Sequence, residues 1–270
     1  MYVVLRENKK MKINILGEGE PIIFVHSYLW DKNMWQPQLE ELSKYFKCIS
    51  IDLWGHGESD ILNEKDCYSL ASLSKDIIDV AKSLNISKFN YVGLSVGAMI
   101  GTYLALNYKE SINKLVLMDG YSGIEPKETQ SKYFLMLNSI EELGYIPEEL
   151  ANIIAPMFFT KKEVINNGEL YRNFKKELLN KENIKIKTIV NLGKGIFGRE
   201  DILDKMEEIK NEILFMVGDE DIPRPQEESL KMHKLVKNSK FIIIPNAGHI
   251  SNLENPIFVN KQLLKFLSNI

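Results

Sequence analysis

Two textures alternate along the chain. Short β-branched and apolar runs come first: "PIIFVH" (21–26), "FKCISID" (46–52), "FNYVGL" (89–94), "NKLVLMD" (113–119), "NEILFMVG" (211–218) and "KFIIIP" (240–245). A strand covered on one face alternates polar and apolar residues, so nearly unbroken runs predict strands covered on both. Between them, "MWQPQLEELSKYF" (34–46), "LASLSKDIIDVAKSLN" (70–85), "VGAMIGTYLALNY" (96–108) and "EESLKMHKLVKN" (227–238) carry apolar residues every three or four positions. That is the spacing of a helix with one buried stripe. Strand and helix repeated in this order predict an α/β fold with a mostly parallel, doubly wound sheet. The opening segments, "YVVLREN" (2–8) and "MKINILGEGEP" (11–21), read as a hairpin that adds antiparallel strands at one edge.

The rhythm breaks once. From "LMDGYSG" to "NEILFMVG" no core strand intervenes, and the segment reads instead as helices rich in Met and Phe. A structureless loop of that length is improbable in a compact domain. The expectation is therefore a single domain, 1–270, with a helical cap inserted over 121–200 and hinges near Gly120–Gly123 and Gly193–Gly198.

Composition narrows the classes. A net charge of -3, with Lys and Glu interspersed, gives no footprint for nucleic acid. No apolar run reaches the length of a membrane span, and "MYVVLRENKK" does not read as a signal peptide. Cys48 and Cys67 lack metal-ligand spacing and read as reduced thiols of a cytoplasmic protein, Cys48 as a small buried hydrophobe. No metal or cofactor is expected.

In open parallel sheets ligands bind beyond the carboxyl ends of the strands, so the residues that follow each run matter most. "HSYLW" (26–30), "LWGHGES" (53–59), Ser95, "GDEDIP" (218–223) and "NAGH" (246–249) would meet at that edge. A serine hydroxyl becomes a nucleophile only when an oriented base takes its proton. In "GLSVG" (93–97) a sharp strand-to-helix turn would expose Ser95 at a helix N-terminus, and Gly93 and Gly97 would let strand and helix approach closely. The order Ser95, an aspartate, His249 fits this architecture. His233 reads as a surface residue, His56 as part of its turn, and His26 as a support of the loop after "FVH".

These motifs resemble those of the α/β-hydrolase family, in its small capped esterase, lactonase and carbon–carbon hydrolase branch. "DLWGHGES" is similar to its Asp-x-x-Gly-x-Gly-x-Ser turn, "GLSVGAM" to its nucleophile elbow, "GDEDIP" to its acid loop and "NAGHISNLENP" to its histidine loop. The last stretch is especially like 3-oxoadipate enol-lactonase and its esterase relatives. The resemblance implies a triad of Ser95, Asp221 and His249, with Asp119 and Asp219 as competing acids and Asp52 structural. It implies an oxyanion hole from the amides of Val96 and Tyr28, although Ser27 stands where glycine is usual. Ser27, Trp54, Met136, Met157, Phe158 and Phe159 are candidate substrate-binding residues. The expected activity is hydrolysis of small carboxylic esters or lactones through an acyl-enzyme. Carbon–carbon bond hydrolysis and a hydrolase-like receptor are the rival readings; aspartate-nucleophile chemistry is disfavoured by the serine at 95.

Overall fold

The structure is a computed structural model that describes residues 1–63, 68–181 and 183–268, apart from the side chains of residues 183 and 184. Cys67 lies outside the described residues. The strands are β1 (Tyr2–Val4), β2 (Lys10–Leu16), β3 (Pro21–Val25), β4 (Lys47–Ile51), β5 (Phe89–Leu94), β6 (Ile112–Met118), β7 (Glu212–Gly218) and β8 (Ser239–Ile244). They form one sheet in the order β1-β2-β4-β3-β5-β6-β7-β8. β1 and β2 are antiparallel, β2 runs antiparallel to β4, and all later pairings are parallel. The apolar runs become strands nearly residue for residue, and the hairpin adds its antiparallel strands at one edge.

The helices before the break are α1 (Gln36–Leu42), α2 (Leu70–Ser83) and α3 (Val96–Asn107). Burial differs between them for a physical reason. α2 keeps one exposed face, with Lys75 and Asp79 paired across one turn. α3, by contrast, buries Val96 through Thr102 without interruption. It is covered all round, so a single buried stripe understates it.

Between β6 and β7 lie α4 (Lys127–Leu143), α5 (Glu148–Ile154), α6 (Lys161–Ile165), α7 (Glu169–Leu179) and α8 (Asn183–Phe197). α4 ends where Gly144 adopts φ 74°, the left-handed conformation that frees a helix to stop. Of the glycines where a hinge is expected, near Gly193–Gly198, Gly198 follows the end of α8. Gly193 and Gly195 lie inside α8, where small residues allow close packing: a Cβ on Gly193 would fall 2.7 Å from the Tyr28 hydroxyl. The chain closes with α9 (Gln226–Leu235), α10 (Ser251–Glu254) and α11 (Pro256–Leu267). No helix among the described residues is long and apolar enough to cross a membrane. Cys48 is fully buried, and burial pushes its thiol up to about 12.

Candidate active site

β5 ends at Leu94 and α3 begins at Val96, so Ser95 must turn the chain in a single residue. It does so at φ 57° and ψ −113°, a strained backbone for a residue with a Cβ. Two glycines permit the turn. A Cβ on Gly93 would lie 2.4 Å from the Gly97 carbonyl carbon, and one on Gly97 would lie 2.3 Å from the Val25 carbonyl oxygen. The turn is held by the Ser95 amide, which donates to the Met118 carbonyl at 2.8 Å.

Ser95 and His249 line one cavity, the latter from the loop after β8. His249 Nδ1 lies 2.9 Å from Asp221 Oδ2 and 3.1 Å from Oδ1, on the loop after β7. Asp221 Oδ1 also accepts the Arg224 amide at 3.0 Å. Burial pushes the His249 imidazole down to about 4, against the opposing pull of Asp119. The resting ring is therefore neutral at pH 7 and can accept a proton. Burial also raises the Asp221 carboxyl well above its ordinary range, while the Arg224 amide and guanidinium pull it back.

Asp119, the rival acid after β6, serves differently. Its Oδ1 accepts the Gly218 amide at 2.8 Å and its Oδ2 accepts the Ser251 hydroxyl. It thus ties the strand carrying Asp221 to the loop carrying His249. Burial, reinforced by the Asp221 charge, holds its carboxyl far above normal. Asp219 is exposed and accepts the Ala247 amide, and Asp52 accepts both the amide and the ammonium of Lys32. Neither reaches the imidazole.

The loop after β3 is set by a histidine tautomer. His26 Nε2 accepts the Leu53 amide at 2.9 Å, so the ring proton sits on Nδ1 and is donated to the Ser27 carbonyl at 2.7 Å. That carbonyl belongs to the Ser27–Tyr28 peptide. Because C=O and N–H point opposite ways across a trans peptide, fixing the Ser27 oxygen also fixes the Tyr28 amide. The amides of Tyr28 and Val96 have no partner among the described residues. His56 stays in its turn with Nδ1 on the Trp54 carbonyl, and His233 bonds Ser239.

Met136, Met157, Phe158 and Tyr28 line the cavity. Three other candidates do not. Trp54 is fully buried and donates its indole N–H to Asp76 at 2.8 Å, which fixes it in the core. Phe159 is buried against Trp30, Tyr171 and Phe174, so its ring is core of the helical segment. Ser27 is fully buried, and its amide donates to the Met34 sulfur. It does not line the cavity.

Two polar lining residues escaped sequence reasoning. Tyr133 and Arg224 both border the cavity. Arg224 belongs to a buried cluster in which Glu125 bonds both Arg199 and Arg224, and Arg224 Nη1 reaches Glu228 at 3.3 Å. The only sequence signal was the position of Arg224, three residues beyond Asp221. The histidine loop is also fastened to the helices above it. Glu254 accepts from the Gly248 amide and from both the amide and hydroxyl of Thr160, and the Ile250 amide donates to the Phe158 carbonyl at 3.1 Å.

Comparison with known proteins agrees with this architecture. The model of a family described as alpha/beta hydrolase fold matches residues 20–141. The chain is 24% identical to 3-oxoadipate enol-lactonase 1 of Acinetobacter baylyi, over 95% of this chain and 92% of that protein. Among solved structures it is similar to a thermophilic esterase from Thermogutta terrifontis, with TM-score 0.88, 23% identity, and 99% and 97% of the two chains covered. It is also similar to the enol-lactonase from Burkholderia xenovorans, with TM-score 0.87, 21% identity and 99% of each chain covered.

Proposed function

We propose that this chain, which has the α/β-hydrolase fold, hydrolyses small uncharged carboxylic esters or lactones through an acyl-enzyme. The observation that carries the reading is the elbow: Ser95, strained and helix-capping, borders the cavity it shares with His249, whose far nitrogen is bonded to Asp221. In this reading Ser95 Oγ attacks the carbonyl carbon while His249 Nε2 takes its proton. Asp221 holds the ring with Nε2 toward the cavity and stabilises the imidazolium that forms. The amides of Tyr28 and Val96 donate to the carbonyl oxygen as it becomes an oxyanion. They need no reorganisation, because strand end and helix start already fix them. His249 then protonates the leaving oxygen, and water resolves the acyl group by the reverse relay.

Support for an uncharged substrate comes from the wall. Apart from Tyr28, Ser95, Tyr133, Arg224 and His249, the lining side chains are apolar. The Arg224 cation already has two carboxylate partners. A fluorophosphonate probe followed by peptide mass mapping tests the reading. The expected result is one adduct, on Ser95, with multiple turnovers of a short aryl ester. An adduct elsewhere removes Ser95 from its role. Release of a single equivalent of product favours the receptor reading.

A further inference from the structure

The cavity's polar groups divide into the used and the idle. The Tyr28 hydroxyl donates to the Ile189 carbonyl at 2.7 Å, and His249 is committed to Asp221. The Tyr133 hydroxyl has no hydrogen-bond partner among the described residues, and neither has Arg224 Nε. The Tyr133 ring does not need its hydroxyl in order to pack. It stacks on Phe197 at 4.2 Å and 25°, and Phe197 stands edge-on to Tyr28 at 6.1 Å. Those contacts hold the ring, leaving a preorganised donor on a residue that borders an apolar space. A phenylalanine would serve the stack equally well. After burial itself, the charges that act on this hydroxyl are Arg224, Glu125, Glu228 and Asp221.

Resting on the hydrolase reading above, we infer that Tyr133 and Arg224 form a recognition corner for an uncharged oxygen, such as a ketone or ether, carried by the substrate. Two N–H or O–H donors without partners suit a lone-pair acceptor. A carboxylate does not suit the corner. Arg199 and Arg224 are balanced by Glu125 and Glu228, all four buried or nearly so, and Asp221 adds a further carboxyl nearby. A further buried anion there would meet a cluster already neutral and lose its hydration without a free cation. Tyr133 is thus a specificity-determining residue on α4.

The test uses the full chain and three kinds of aryl ester of equal chain length: plain hexanoate, hexanoates with a ketone moved along successive carbons, and a half-ester ending in carboxylate. One ketone isomer should exceed the plain ester in kcat/KM by about fivefold, the worth of one neutral hydrogen bond. The carboxylate should fall below both. In Tyr133→Phe the ketone-to-plain ratio should drop to near one. In Glu228→Gln, which releases Arg224 from one carboxylate, the carboxylate-to-plain ratio should rise by about fivefold. Melting curves would establish that both variants are folded. Turnover and Ser95 labelling with a ketone ratio unchanged in Tyr133→Phe would overturn the corner and leave the hydrolase reading standing. Absence of both labelling and turnover in the unsubstituted protein would overturn the two together.

Discussion

On the floor of the cavity, Ser95, Asp221 and His249 stand where strands β5, β7 and β8 end, each held by main-chain or carboxylate hydrogen bonds. On the ceiling, Met136, Leu137 and Met157 reach the same space from the helical segment, and their apolar side chains have only packing to hold them. Directional bonds fix atoms to fractions of an ångström, whereas dispersion contacts fix volume and let unbranched side chains adapt. The floor is therefore suited to chemistry that tolerates no misplacement. The ceiling is suited to choosing among substrates of similar size.

The sharpest way to separate the two is to damage the floor. Ser95→Ala should abolish fluorophosphonate labelling and lower ester turnover by at least about a thousandfold, since triad members act as a unit. Retained labelling would move the nucleophile. Asp221→Asn should come next, at about a thousandfold, because the wrong tautomer of His249 is then favoured. Asp119→Asn should cost far less, about tenfold at most, since the side-chain amide can still accept the Gly218 N–H and donate to the Ser251 hydroxyl oxygen. The reverse order of kcat/KM losses would make Asp119 the acid.

Acid titration probes the same floor without mutation. His249, faced by Asp119, Asp221, Arg224 and Glu228, must be neutral to take a proton, and its buried ring loses its charge above about 4. A pH profile of kcat/KM should stay level through neutrality and fall by about tenfold per unit below that value. Its inflection near the ordinary imidazole range would mean that water reaches the ring. The folded ring binds its proton less readily than the unfolded one, so stability from this group is present above the unfolded imidazole's 6.5 and is lost as pH falls toward about 4.

The smallest effects on rate belong to the ceiling. Phe158→Ala should shift the preferred acyl chain to longer homologues, with at most about 1–3 kcal/mol of discrimination per methylene. Phe159→Ala should leave that profile unchanged and instead cost about 3–5 kcal/mol of stability, as loss of a buried ring does. Matching chain-length profiles for the two variants would erase the distinction between cavity wall and helical core.

The same division explains what could be read from the sequence. Strand ends are addressable in one dimension: an apolar run stops, and the next residues lie at the sheet's edge. Ser95 and His249 could be placed by that rule, whereas the choice of Asp221 among the aspartates and of the Tyr28 amide came from the resemblance to α/β-hydrolases. Which way a side chain of the inserted helices faces depends on neighbours distant in sequence. Phe158 and Phe159 are adjacent in the chain, yet one meets the cavity and the other Trp30. Trp54 followed a strand and still belonged to the core, because Asp76 of α2 captures its N–H. The Glu125–Arg199–Arg224–Glu228 cluster joins three separated stretches, and no local pattern announces it.

The chain leaves the sheet at Met118 and returns at Glu212, with β6 and β7 paired across that gap. Loop-closure entropy grows only with the logarithm of length, so carrying the whole helical segment costs about 2 kcal/mol more than a ten-residue connection. The helices fold back with their own buried interior, Phe174 and Leu178 among it, which offsets that cost locally. An insertion so inexpensive to close can be lengthened, shortened or exchanged while the β6–β7 register stays as it is. The architecture is modular in the thermodynamic sense: new selectivity can be tried above the sheet without re-solving how the sheet closes.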